Sequence, residues 1–325
     1  MINKRDFIKT MGVGLGVAAT SPGMVARTIW NDQPQKNKVI GIIGAENSHT
    51  IRFGNLFNTQ KKFPGFEVKY VWGETDEFAR RAMEKGNIPY QVKDPSEMLG
   101  KIDALIVDHR HPREHLKPGI PFIKEGIPTF IDKPFCYRTN EGREFLQLAR
   151  AMGTPVTSFS KIAYNTQIFD IKEQLKTIDG ISQVIRTGPV DIDSPYGGIF
   201  FYGVHLIQPL LFMFGEDVHS VRVTRNGSTG NASLRFTSGL FATAVLKNKA
   251  RGWETFVETP KKLIELKSEK KESDPPKYYA DMVEMFRTGK ESRSHQSILN
   301  CVSVLEALEK SSINEMWVNV RYQKV

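Results

Sequence analysis

Cysteine is scarce in this 325-residue chain, which has two, Cys136 and Cys301. They form no C-x-x-C metal or redox spacing, and two cysteines cannot scaffold a chain of this length. Whether they pair is left open by the sequence. Long apolar runs are also missing: beyond the first residues, nothing approaches the roughly 20 residues needed to span a bilayer. There is no internal repeat and no low-complexity segment. The formal net charge is +9, yet the basic residues are scattered, with no Lys/Arg stripe interleaved with exposed aromatics. That argues against a nucleic-acid partner. The densest charged run, Lys267 to Lys277, mixes signs around Pro275 and Pro276 and reads as a solvated loop.

What is present begins with Lys4, Arg5 and Lys9 ahead of a small apolar stretch, Met11 to Ala19, and a small-residue cleavage site at Met24-Val25-Ala26. This is the order of a signal peptide over residues 1–26. Lys4 to Lys9 resembles a relaxed twin-arginine signal, with Lys for the first Arg. Cleavage would lower the formal charge from +9 to +7 and imply an exported, periplasmic protein.

With 40% hydrophobic and 25% charged residues, the chain can bury a substantial core, and its length favours two domains. Apolar, β-rich runs at Val39–Ile43, Phe66–Trp72, Asp103–Val107, Pro128–Ile131 and Pro155–Phe159 alternate with helical patterns. Continuous apolar strands belong to a sheet buried on both faces. One helix is expected over Asn140 to Met152, with an Asx cap and a terminal Gly153. Residues 37–160 therefore read as a Rossmann-type, doubly wound parallel sheet.

After about Ser160, a helix over Gln167–Ile178 is followed by strand-like runs at Gln183–Arg186, Ser220–Thr224, Ala232–Phe236, Leu240–Leu246 and Leu263–Leu266. Two amphipathic helices, Tyr278–Arg287 and Ser297–Lys310, close the chain. Residues 161–325 read as an α+β domain with a mainly antiparallel open sheet. That open sheet leaves a face for a homo-oligomer.

The most informative segment is the apolar strand ending in Asp132-Lys133-Pro134, which aims a charged pair at the crevice beyond the carboxyl ends of the strands. Downstream stands Gly197-Gly198-Ile199-Phe200-Phe201-Tyr202-Gly203-Val204-His205-Leu206-Ile207. In that order and spacing the two segments resemble the signatures of the glucose-fructose oxidoreductase / inositol dehydrogenase / rhizopine-catabolism (Gfo/Idh/MocA) family, with Asp132 for the Glu of its Glu-Lys-Pro motif. Asn231 to Leu246 and the final helices extend the resemblance over nearly all of the chain after the leader.

The resemblance implies NAD or NADP as cofactor, a carbohydrate-like small molecule as substrate, and Lys133 and His205 as catalytic residues. The family's Asp four residues before the His is Phe201 here, so the triad is incomplete. Cofactor contacts fall on Gly44, Ala45, Asn47, Gly73, Glu74, His115, Asp132 and Lys133. The phosphate loop departs from Gly-x-Gly-x-x-Gly: Gly44-Ala45-Glu46-Asn47-Ser48-His49 keeps only the first glycine, and Glu46 places bulk and negative charge beside the expected pyrophosphate. The ribose-binding acid falls on Gly73, with Glu74 next to it. Export would separate the protein from any free nicotinamide pool and favour a retained cofactor.

These departures cluster. Glu46, His49, Asp108, His109, His111, Asp132 and His205 fall near one sheet edge and include four of the seven histidines, a set able to bind a divalent metal. Three readings stand at this point: an NAD(P)-dependent oxidoreductase on a sugar, polyol or keto-sugar; a metal-dependent lyase, isomerase or hydrolase; and a non-catalytic carbohydrate-binding protein.

Overall fold

The computed structural model describes residues 37–247 and 252–325. The leader expected over residues 1–26 lies outside them.

Six parallel strands form the first sheet: β1 (Lys38–Ile43), β2 (Phe66–Trp72), β3 (Tyr90–Gln91), β4 (Ala104–Val107), β5 (Thr129–Ile131) and β6 (Val156–Thr157), in the order β3-β2-β1-β4-β5-β6. The central strands are buried on both faces; Ile40, Ile42 and Ile43 of β1 are fully inaccessible. Each such side chain stabilises the fold by about 1.5–3 kcal/mol. Crossover helices α1 (Ser48–Gly54), α2 (Asp76–Gly86), α3 (Ile120–Lys124) and α4 (Thr139–Met152) make it doubly wound.

One expectation is corrected. α4 has no Asx cap at Asn140; it starts at Thr139, after Arg138, which makes no capping bond with its side chain. The free N–H of Thr139 donates to Glu306 Oε2 at 3.1 Å, so a carboxylate far along the chain does the capping.

The rest of the chain runs α5 (Thr166–Leu175), β7 (Gln183–Pro189), α6 (Ile199–Phe214), β8 (Val218–Asn226), β9 (Thr229–Phe236), β10 (Phe241–Lys247), β11 (Thr255–Glu258), β12 (Leu263–Leu266), α7 (Lys277–Thr288), α8 (His295–Asn314) and β13 (Val318–Asn319). Its seven strands order as β12-β11-β7-β10-β9-β8-β13, antiparallel except for β7 with β10. α6 is apolar nearly all round and correspondingly buried. α7 packs away from this second sheet: Tyr278, Tyr279, Met282 and Phe286 join Phe53, Phe57 and Phe130 in the core of the parallel sheet. Cys136 and Cys301 are buried free thiols. Among the described residues no helix is long and apolar enough to cross a membrane.

Candidate active site

The parallel strands end in a common edge, where glycines and acidic residues follow the central strands. Gly44 follows β1, Gly73 and Glu74 follow β2, Asp108 follows β4, and Asp132 follows β5. Gly44 has φ +106°, and a Cβ there would lie 2.6 Å from the Asp108 carbonyl carbon. Only glycine lets the β1 and β4 ends approach this closely. Gly73 serves helix packing, since an added Cβ would sit 2.8 Å from the N of Ala79 in α2.

The loop Gly44 to Asn47 is held from within. Glu74 Oε2 accepts the N–H groups of Ala45 and Glu46, both at 2.9 Å, and Arg81 Nη2 donates to the carbonyls of the same two residues at 3.1 Å. Glu74 Oε1 is buried and has no hydrogen-bond partner. Glu46 points outward: its Oε1 accepts from the Tyr196 hydroxyl at 2.9 Å and lies 3.6 Å from Arg110. Arg110 stacks 3.9 Å over the Tyr196 ring and 5.5 Å from Phe201. The negative charge beside the expected pyrophosphate is thus already paired.

Beneath the loop lies a buried network. Asn47 caps α1 through its oxygen, while Nδ2 donates to Asp108 at 2.9 Å and Asp132 at 3.2 Å. Thr50 Oγ1 lies 2.6 Å from Asp108 Oδ2, His49 Nδ1 is 3.1 Å from Asp132 Oδ2, and Lys133 Nζ is 3.6 Å from that same oxygen. Burial and the neighbouring Asp132 push the Asp108 carboxyl well above the usual range. For Asp132, burial acts in the same direction, but His49 and Lys133 outweigh it and hold this carboxyl low. Burial keeps the His49 imidazole below its ordinary value despite Asp132.

His205 reaches the edge from α6. Its Nδ1 is 2.6 Å from Ser160 Oγ, its ring packs at 5.7 Å against Trp253, and burial with the nearby Lys133 holds it neutral, well below the ordinary histidine range. Phe201, one helical turn earlier, lies 5.5 Å from Lys133 Nζ. Where the family signature has a carboxylate, this wall is apolar. Lys133, His205, His49, Asn47, Glu46 and Phe201 all line one cleft of about 640 Å³.

Of the expected metal group, His49, Asp108 and Asp132 bring one ligand atom each within 4.8 Å of one another. Their oxygens are already taken by Asn47, Thr50 and Lys133, and a dication would have to sit beside the Lys133 ammonium. The other members turn away: Glu46 to Arg110, His109 to Trp72 at 5.8 Å, His111 to Tyr137 at 5.1 Å, and His205 to Ser160. His115, expected to touch cofactor, is fully buried, with its two ring nitrogens 2.8 Å from the carbonyls of Pro134 and His109. It braces the loops after β4 and β5.

Sequence reasoning passed over Lys161, Arg52, Arg81 and Arg110, which line the cleft with Lys133. A signal existed for Lys161, which stands four residues beyond the end of β6.

The profile of the oxidoreductase family with an NAD-binding Rossmann fold matches residues 38–159. No curated protein matches the chain by sequence. Among solved structures, myo-inositol dehydrogenase from Lactobacillus casei, in complex with NAD(H) and myo-inositol, superposes with a TM-score of 0.75 at 13% identity over 89% of this chain and 98% of that one. Myo-inositol 2-dehydrogenase from Lactobacillus plantarum gives 0.74 at 17% identity over 88% and 100%. GenD2 from gentamicin A biosynthesis, in complex with NAD, gives 0.74 at 13% over 94% and 100%. These likenesses share the fold. Over residues 38–159, the segment that carries β1 to β6, the chain matches the Gfo/Idh/MocA oxidoreductase family with its NAD-binding Rossmann fold.

Proposed function

We propose that this protein is an NAD-dependent oxidoreductase acting on a carbohydrate, polyol or keto-sugar. The observation that carries the reading is the meeting of Lys133 and His205, from separate sheets' elements, in one cleft at the carboxyl edge of the parallel sheet.

The residues fit a nicotinamide dinucleotide, in an altered manner. Glu74, just past the end of β2 where this fold places a ribose-binding acid, would repel the extra phosphate of NADP, which favours NAD. The loop N–H groups of Ala45 and Glu46 are spent on Glu74, so pyrophosphate would be met by side chains, Arg110 and Arg81 foremost. When bound, the nicotinamide supplies the hydride acceptor or donor. This chain's own residues hold and deprotonate the substrate hydroxyl. His205 Nδ1 is engaged by Ser160, which leaves Nε2 as the atom to take the proton, and Lys133 supplies the positive charge that stabilises the developing oxyanion.

The test is calorimetry with NAD and NADP. Glu46→Gly should tighten NAD binding about tenfold, or about 1.4 kcal/mol, because a charge close to pyrophosphate is removed and Arg110 is freed to meet it. NAD should bind better than NADP to both forms. If neither dinucleotide binds either form, and denaturation of the purified protein releases none, a non-catalytic carbohydrate-binding role replaces this reading.

We also propose export with cleavage near Ala26, from the charged, apolar and small-residue order of the leader. Intact-mass measurement on protein from the native envelope fraction checks it; a full-length cytoplasmic chain would sink it.

A further inference from the structure

The cleft is lined by six cationic side chains, Arg52, Arg81, Lys85, Arg110, Lys133 and Lys161. Two carboxylates act against them: Glu46, paired with Arg110, and Asp132, paired with Lys133. The pyrophosphate of a dinucleotide would balance about two more charges. Two cations are left, and the placement says which.

Arg81 sits against the loop after β1 and Lys85 stands one turn further along α2, so these two fall at the cofactor end, as does Arg110 with Glu46, which leaves Arg52 and Lys161. Lys161 lies at the other end. It shares a small hollow with His49, Asp132, Lys133 and His205, beside the atoms that would handle the substrate. It is half-buried, and among the described residues no carboxylate lies within ion-pair distance of Lys161 or Arg52. Burial first, then Arg52 and Lys133, bring the Lys161 ammonium down to about 8. Phe201, which lines the cleft 5.5 Å from Lys133 Nζ, contributes no compensating charge there.

We propose that the substrate is an anionic sugar derivative, bearing a carboxylate or a phosphate group that is bound by Lys161 with Arg52. The inference rests on the oxidoreductase reading only in assigning the other end of the cleft to the dinucleotide. An anion there relieves the repulsion among Arg52, Lys133 and Lys161, whereas a neutral polyol leaves it in place.

The experiment is calorimetry on the whole protein, without and with saturating NAD, using D-glucuronate, glucose 6-phosphate, neutral D-glucose and inorganic phosphate. At least one of the two anionic sugars should bind tenfold or more tighter than glucose, and which of them does so distinguishes carboxylate from phosphate. Lys161→Met should cost that ligand about tenfold and leave NAD affinity unchanged, and Lys161→Arg should retain most of it. Glucose binding as tightly as the anions overturns the proposal. So does inorganic phosphate binding as tightly as the sugars, an unchanged affinity in Lys161→Met, or no sugar binding at all. Because the sugars are also measured without cofactor, a failure to bind NAD defeats the oxidoreductase reading while anion selectivity still stands or falls separately.

Discussion

Under the proposed function, Lys133→Met should lower kcat/KM by about 10² to 10⁴, the range expected when a positioned group that handles charge or a proton is deleted. Lys133 is 7% exposed and its ammonium lies 3.6 Å from Asp132, so it cannot be replaced by solvent. The same substitution leaves a buried carboxylate short of one cation, which costs stability as well as rate. Thermal denaturation of the variant must therefore accompany the kinetics. His205→Asn offers the cleaner comparison: its short amide can keep the bond to Ser160 while removing Nε2, so a folded but slow enzyme is expected. Near-normal turnover in both variants would remove the pair from the chemistry.

Stability should fall steeply on mild acidification, by several kcal/mol between pH 7 and pH 5. His49, His109, His115 and His205 are all held neutral in the folded protein by burial, His109 down to about 3. The unfolded chain binds protons at these positions below about 6.5, where the folded chain does not. Folding stability is then lost as pH falls, by up to about 1.4 kcal/mol per histidine per pH unit. The window opens near 6.5 and for His109 closes near 3. Asp108, raised, works against this loss, because from its elevated folded pKa down to about 3.8 the folded chain holds a proton the unfolded chain does not; Asp132, lowered, adds to the loss only below about 3.8. Urea unfolding at pH 7, 6 and 5 measures the slope, and His109→Phe should make it shallower, since His109 Nδ1 is buried without a partner. A slope near zero would show that these imidazoles are charged in the folded state.

Much of the fold was legible because its signals are local and repetitive. The apolar runs that became β1, β2, β4 and β5, and the αL glycine at the end of α4, each follow from a few neighbouring residues. What escaped depends on distant partners. β3, β11 and β13 are two to four residues long and exist only through their neighbours' ladders. The cap of α4 comes from Glu306 and cannot be seen near residue 139.

The site divides in the same way. That Lys133 and His205 face one cleft was readable from motif context, and Glu46 was visible as a charge on the loop after β1. Its neutralisation by Arg110 and Tyr196 was not readable, because those residues lie far from it in sequence. Nor could sequence reveal that Glu74 folds back to occupy the loop's own N–H groups. Of the seven acidic and imidazole residues only His49, Asp108 and Asp132 converged, and Asn47, Thr50 and Lys133 engage their oxygens in a hydrogen-bonded and ion-paired network.

The way α7 and α8 complete the parallel sheet bears on how this chain can be cut. Besides the α7 aromatics in its core, the first half relies on Glu306 and Glu309 of α8 to hold Thr139, Tyr137 and Arg138, and on Glu291 to accept the N–H of Val156 at 2.7 Å. A fragment ending near residue 160 would lose these partners and expose an aromatic face to water. The cofactor-binding half is therefore not a portable module. Recombination or domain grafting that respects this architecture must carry the last fifty residues along with the first sheet, as two separated stretches of one folding unit.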